Sequence, residues 1–373
     1  VSRQDAKSVI QNLLCAGGIS TNGDNPWDLQ VHNEDFYELV LTGGALALGE
    51  SYMAGWWDCR ALDAFFDKIL RARLDNKMKK SARFYWQILA AKVFNLQKKS
   101  RAFLVGKKHY DIGNDLYRAM LDSNMVYTCG YWKRADNLDD AQIDKMDLVC
   151  RKVGLQPGMK VLELGCGWGS FARYAAQKYG AEVTAVTVSK EQVSLGKELC
   201  QGLPVNIRLQ DYRRVQGLYD RVISIGIMEH VGYKNYRTYM ETVARTLKDD
   251  GIAFFHTIGN NFSMSISNPW TTRYIFPNGQ LPSISQLAKA MEGLFVMEDW
   301  HNFGPDYDKT LMAWYDNFEK NWPEFAGRYG DRFYRMWRYY LLSSAGAFRS
   351  RSTQLWQVVM TKPGRAQPEC RLI

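Results

Sequence analysis

The run Glu163-Leu164-Gly165-Cys166-Gly167-Trp168-Gly169 closes one apolar segment and opens a helical one. Glycines at alternate positions let the backbone approach a ligand where a Cβ would collide, and the helix N-terminus that follows is electropositive. A dinucleotide site calls for Gly-x-Gly-x-x-Gly, with an acid closing the second strand to hold the ribose. Here the spacing is Gly-x-Gly-x-Gly, the acid stands two residues before the first glycine, and the second strand closes on Thr187. Glu229 and His256 lie at the ends of two further strand candidates, where both could face the same crevice as the loop. Read alone, Glu229 better suits an exposed loop acid and His256 a satisfied core histidine; the convergence of the strand ends favours the crevice instead. Cys129 alone reads as a small buried hydrophobe, and Tyr315, beside Trp314 and Phe318, as part of a packing stripe.

The elements that must position these residues alternate in type from Lys160 onward. Strand candidates are Lys160–Leu164, Glu182–Val186, Val205–Leu209, Arg221–Ile225 and Ile252–Thr257, with helices expected over Phe171–Tyr179, Lys190–Cys200 and Tyr236–Leu247. This rhythm implies an α/β fold with a doubly wound, mainly parallel sheet and ligand sites at the carboxyl ends of its strands. Two later strands, Phe295–Trp300 and Leu355–Met360, flank a helical, aromatic-rich stretch over Leu311–Phe348. Residues 1–95 read as a smaller, mostly helical domain and 96–108 as a basic linker, leaving 109–373 as the catalytic domain.

The 373 residues are 46% hydrophobic and 23% charged, which excludes global disorder. The longest uncharged stretch, Gly251 to Thr272, is broken by asparagines and Pro269 and cannot span a bilayer. Seven scattered cysteines form no Cys-x-x-Cys pair, which favours free thiols in a reducing cytosol. Five histidines without ligand spacing argue against a metal. Charge is concentrated: Arg71–Lys108 holds twelve basic residues and one acid, a surplus of eleven against +9 for the whole chain. Phe84, Tyr85, Trp86, Ile88, Leu89, Val93 and Phe94 recur within it at roughly helical spacing. A basic amphipathic helix with aromatics fits an anionic bilayer surface. Nucleic acid attracts the same stripe, and a solvated face with one core-facing stripe produces the same pattern.

The glycine loop resembles motif I of the class I S-adenosylmethionine methyltransferases, whose cofactor lacks pyrophosphate and carries cationic sulfonium and amino groups that an acid suits. Beyond the superfamily, the chain resembles the cyclopropane-fatty-acyl-phospholipid synthases, in the longer form with an N-terminal domain. The segments that carry the resemblance are Gly49-Glu50-Ser51-Tyr52-Met53 with Gly55-Trp56-Trp57, His109-Tyr110-Asp111, Tyr127-Thr128-Cys129-Gly130-Tyr131-Trp132, Gly165 through Gly169, Glu229-His230-Val231-Gly232, His256-Thr257-Ile258, Tyr274 through Gly279, and Trp314-Tyr315. The shorter mycolic-acid enzymes share only the catalytic half. The resemblance implies transfer of a methylene to the cis double bond of an acyl chain in a membrane phospholipid, with bound bicarbonate taking the proton released on ring closure. It places Cys129, Glu229, His256, Tyr315 and the Ile258 backbone around the anion. Around S-adenosyl-L-methionine it places Tyr127, Thr128, Glu163, Gly165, Cys166, Gly167, Gly169, Thr187, Gln192, Asp211 and Tyr212, with Gln192 the nearest substitute for the missing ribose acid. It further implies a homodimer on the inner face of the cytoplasmic membrane, and lipid in preference to nucleic acid as partner. Some relatives carry Cys before the Ala-Gly-Ala-Phe segment. Here that residue is Ser344, so no thiol chemistry applies there.

Overall fold

The computed structural model describes residues 3–74, 113–264 and 267–372. The basic linker, nearly all of the Arg71–Lys108 stretch and His109-Tyr110-Asp111 lie outside the described residues. The chain divides into two compact units, one of Val1–Phe94, Ser265–Pro277 and Tyr307–Thr353, the other of Asn95–Met264, Asn278–Asp306 and Gln354–Ile373.

In the first unit, helices Arg3–Cys15, Asp35–Met53 and Leu62–Arg71 accompany a short antiparallel ribbon of β1 (Gln30–Val31) and β2 (Trp57–Asp58). Segments 265–277 and 307–353, which local pattern assigns to the catalytic domain, group here because of contacts made at long sequence range. Tyr339, on helix Pro305–Arg349, packs on Trp270 (4.4 Å) and Tyr52 (5.5 Å). Arg349 bridges Asp308 (2.8 Å) and Asp63 (2.5 Å), and Arg338 donates to the Tyr52 hydroxyl.

The second unit holds a seven-stranded sheet among the described residues. Its strands are β3 (Lys160–Leu164), β4 (Glu182–Thr187), β5 (Val205–Leu209), β6 (Tyr219–Ile225), β7 (Leu247–Asn260), β8 (Val296–Asn302) and β9 (Thr353–Thr361), in the order β5-β4-β3-β6-β7-β9-β8. The pairs from β5 through β7 are parallel and β8–β9 is antiparallel, the mainly parallel arrangement that the β-α rhythm implies. Successive residues feed opposite faces. Leu162, Val222 and Phe255 enter one core with Tyr236 and Met240, while Val161, Ile223 and Phe254 enter the other with Ala172 and Ala175. Each such side chain contributes about 1.5–3 kcal/mol by leaving water, so both faces hold the strands in register. None of the seven cysteines forms a disulfide among the described residues; Cys15 is exposed and the other six are buried.

Gly259, on β7, faces the Trp356 ring so closely that an added Cβ would stand 2.1 Å from it. That ring is buried and packs on Trp300 at 5.2 Å, so it has little room to yield. Overpacking of this kind costs about 1–3 kcal/mol. Gly259→Ala is expected to lower the urea unfolding midpoint accordingly; an unchanged midpoint would show that the ring can move.

Candidate active site

The glycine loop lies where β3 hands over to helix Ser170–Tyr179, and its glycines do different work. At Gly169 a Cβ would meet Ile207 at 2.9 Å and Cys200 Sγ at 3.2 Å, so this glycine is required by packing. Gly167 has φ +53° and, among the described residues, nothing within 4 Å of its Cβ position, which leaves room there for a ligand. Around the loop, buried polar atoms lack hydrogen-bond partners among the described residues: Glu163 Oε2, Gln192 Nε2 and the Tyr212 hydroxyl. Gln192 Oε1 is already taken by the Thr187 hydroxyl at 2.7 Å, which fixes the amide with its donor side unused. Asp211 accepts from the Arg213 amide (2.9 Å) and pairs with its guanidinium (3.2 Å). These features fit a ligand with a cationic group, hydroxyls and a flat ring, as S-adenosylmethionine has.

Glu229 and His256 stand beyond the ends of β6 and β7, held by the register Ile225↔His256 and by a bond from the Gly226 amide to the His256 carbonyl. Glu229 Oε1 accepts from the Ile258 amide at 2.6 Å, while Oε2 is buried without a partner of hydrogen-bond geometry among the described residues. Burial pushes its carboxyl up to about 7, partly offset by the Ile258 and Glu229 amides and the Thr257 hydroxyl. The Ile258 amide, expected to face an anion, is thus engaged by Glu229. His256 is held neutral: burial, then the charges of Lys145 and Lys152, put its pKa well below the usual 6.5. The Gln357 amide lies 3.4 Å from Nδ1, and as the donor it leaves the ring proton on Nε2, which is buried without a partner among the described residues. Two unsatisfied polar atoms, one acceptor and one donor, therefore sit at adjacent strand ends.

The segment from Asp122 to Tyr131 brings Tyr127, Thr128 and Cys129 to the same unit. Tyr117 packs on both Tyr127 (5.1 Å) and Trp168 (5.3 Å), joining the segment to the glycine loop. Ser170 donates to the Asn124 carbonyl at 2.6 Å. Cys129 is fully buried, its thiol 3.1 Å from the Gly130 carbonyl. Tyr315 belongs to the first unit, where its hydroxyl accepts from Arg338 at 3.3 Å. Sequence reasoning missed Lys145, which donates to the Thr128 hydroxyl at 2.9 Å while only 1% exposed. It also missed Lys152, buried in an ion pair with Asp299 at 2.8 Å. Among the described residues no group of three metal-ligating side chains occurs, and no helix is long and apolar enough to cross a membrane.

The family model for mycolic acid cyclopropane synthetase matches residues 97–358. A cyclopropane-fatty-acyl-phospholipid synthase from Escherichia coli is 52% identical over 354 residues, covering 95% of this chain and 93% of that protein. A probable fatty acid methyltransferase from Pseudomonas putida is 36% identical, covering 68% of each. Among solved structures, a cyclopropane synthase from Mycobacterium tuberculosis aligns with TM-score 0.67 at 27% identity, over 72% of this chain and 100% of the other. A mycolic acid cyclopropane synthase in complex with SAH and CTAB aligns with TM-score 0.66 at 30% identity, over 70% and 98%. The sheet is accordingly that of the class I methyltransferases.

The raised Glu229 carboxyl has a consequence for stability. A carboxyl whose pKa rises on folding contributes fully below its ordinary 4.5, and that contribution is lost as pH climbs through about 7. The difference amounts to about 3 kcal/mol. Glutamine cannot ionise yet keeps an acceptor for the Ile258 amide. Glu229→Gln is therefore expected to match wild type in urea unfolding near pH 4 and to exceed it by about 3 kcal/mol near pH 8; an equal difference at both would refute the desolvated carboxyl.

Proposed function

This chain belongs to the mycolic acid cyclopropane synthetase family, and we propose that it adds a methylene to the cis double bond of unsaturated acyl chains in membrane phospholipids, closing a cyclopropane ring. S-adenosylmethionine, when bound, supplies a methyl group on a positively charged sulfur. Gly165, Cys166, Gly167 and Gly169 offer backbone at close range, Glu163 an acceptor for the cationic amino group, and Gln192 its unused donor to a ribose oxygen. Tyr127, Thr128, Thr187, Asp211 and Tyr212 complete the cofactor set. CTAB, a long-chain alkylammonium, bound with SAH in a relative supports an alkyl chain as the second ligand.

The observation that carries the reading is the pair of unsatisfied atoms, Glu229 Oε2 and His256 Nε2, at the cofactor end of the sheet. Methyl addition leaves a cation on the acyl chain that must lose a proton to close the ring. A carboxylate facing that cation directly would be alkylated, so a small anion, bicarbonate, suits the task better. Glu229 would accept the anion's hydrogen through Oε2, and His256 would donate to it from Nε2. The Ile258 amide would share its hydrogen between Glu229 and the anion, while Cys129 closes the cage. The enzyme would work as a homodimer at the inner face of the cytoplasmic membrane, drawn there by the basic surplus of Arg71–Lys108.

Incubation with labelled S-adenosylmethionine and anionic vesicles of unsaturated phospholipid should yield acyl chains that gain one CH₂ and lose the alkene, read by mass spectrometry. Added salt should weaken vesicle binding. A product that keeps its alkene would overturn the proposed chemistry. Gly167→Val should abolish cofactor binding in calorimetry while the fold survives, because the side chain fills the ligand's space; normal affinity would reject the loop. Removing bicarbonate should slow wild type and affect an already slow Glu229→Gln far less. Wild-type turnover indifferent to bicarbonate would shift the base to Glu229 or His256.

A further inference from the structure

Helix Leu138–Lys152 buries three polar side chains, Gln142, Lys145 and Lys152, of which the first two lie one turn apart on one face. Gln142 is fully buried and donates to the Thr128 carbonyl at 2.7 Å. Lys145 donates to the Thr128 hydroxyl at 2.9 Å. From the other side, Asp122 accepts from the Val126 amide at 2.7 Å and the Asn124 amide at 3.0 Å. Between them Met125 is held at φ +60°, a conformation non-glycine residues seldom keep unless their surroundings enforce it. Thr128 has no slack on its remaining side, since its methyl stands 2.7 Å from where a Cβ on Gly226 would be. The segment carrying Tyr127, Thr128 and Cys129 is therefore clamped by a helix that carries none of the assigned site residues.

We propose that Lys145 is a positioning residue for cofactor binding, its ammonium fixing Thr128 and serving as the buried counter-charge to Glu163. Glu163 Oε2 has no hydrogen-bond partner among the described residues, and Lys145 is the cation that acts on it. Burial pushes the Glu163 carboxyl up to about 8 and the Lys145 ammonium down to about 8, and each charge partly reverses the shift of the other. Asp122, Cys129 and His256 also face Lys145; the Ala172 amide and the thiols of Cys150, Cys166 and Cys200 face Glu163. Without the lysine, Glu163 would hold its proton to still higher pH, when a cationic ligand needs it ionised. This rests on the reading of the glycine loop as the S-adenosylmethionine site.

The test is calorimetric titration with S-adenosylmethionine across pH, on full-length wild type, Lys145→Met, Lys145→Arg, Glu163→Gln and the Lys145→Met/Glu163→Gln pair. Wild-type affinity should rise with pH. Lys145→Met should bind roughly tenfold more weakly near neutrality, a change of about 1.4 kcal/mol, with the rise displaced to higher pH. Lys145→Arg should restore most of the affinity and the wild-type profile. In the Glu163→Gln background, Lys145→Met should cost clearly less than it does in wild type, because the charge it compensates is gone and only the bond to Thr128 is lost. An unchanged profile in Lys145→Met, no rescue by arginine, or an undiminished cost in the double variant would overturn the proposal. Should Lys145→Met fail to fold, Glu163→Gln carries the test, since a rise with pH that survives there removes Glu163 from the account. Wild type that binds no S-adenosylmethionine refutes the cofactor reading itself.

Discussion

Parallel registration of β3, β4, β6 and β7 is the constraint on which the rest of this molecule depends. Both faces of the sheet are apolar, so the strands can carry polar chemistry only where they end. Register then brings all of those ends to one edge, and Glu163, Thr187, Glu229 and His256 arrive together without any local sequence signal linking them. Because the edge is itself buried, the acids there are pushed up and the histidine down. In such surroundings a fixed donor or acceptor acts far more strongly than in water.

The two halves of the site use burial differently. At the glycine-loop end a buried ammonium and a buried carboxyl moderate each other, so charge is stored there in compensated form. At the other end, among the described residues, no cation faces Glu229 closely enough to lower it; amides and a hydroxyl do. Such a carboxyl, poised near neutrality, can take or give a proton at little cost. A neutral imidazole beside it can donate without adding a competing charge.

Much of this was legible in the sequence because each strand from β3 to β6 is a short segment with apolar residues, alternating in β5 and gathered toward the end of β6, set between turns. β7 is longer than its apolar stretch, Ile252–Thr257, since pairing of Leu247 with Tyr219 extends it, and pairing is invisible to local pattern. Glu163, Glu229 and His256 were placed by the β-α rhythm. Lys145 was not: a lysine on a helix ordinarily reads as solvent-facing, and only its 1% exposure shows otherwise. The engagement of the Ile258 amide by Glu229 and the grouping of Tyr315 with the N-terminal unit likewise rest on long-range contacts.

The cysteines have a practical consequence for chemical labelling. Thiolate, rather than thiol, is the form that reacts with alkylating reagents. Burial pushes the thiols of Cys59, Cys150, Cys166, Cys200 and Cys370 upward, and Cys129 is sealed from solvent. Cys15, at the end of the first helix, alone combines exposure with an ordinary position on the surface. A maleimide dye at neutral pH would therefore attach there first, giving a single fluorescent reporter on the N-terminal unit of the otherwise native chain.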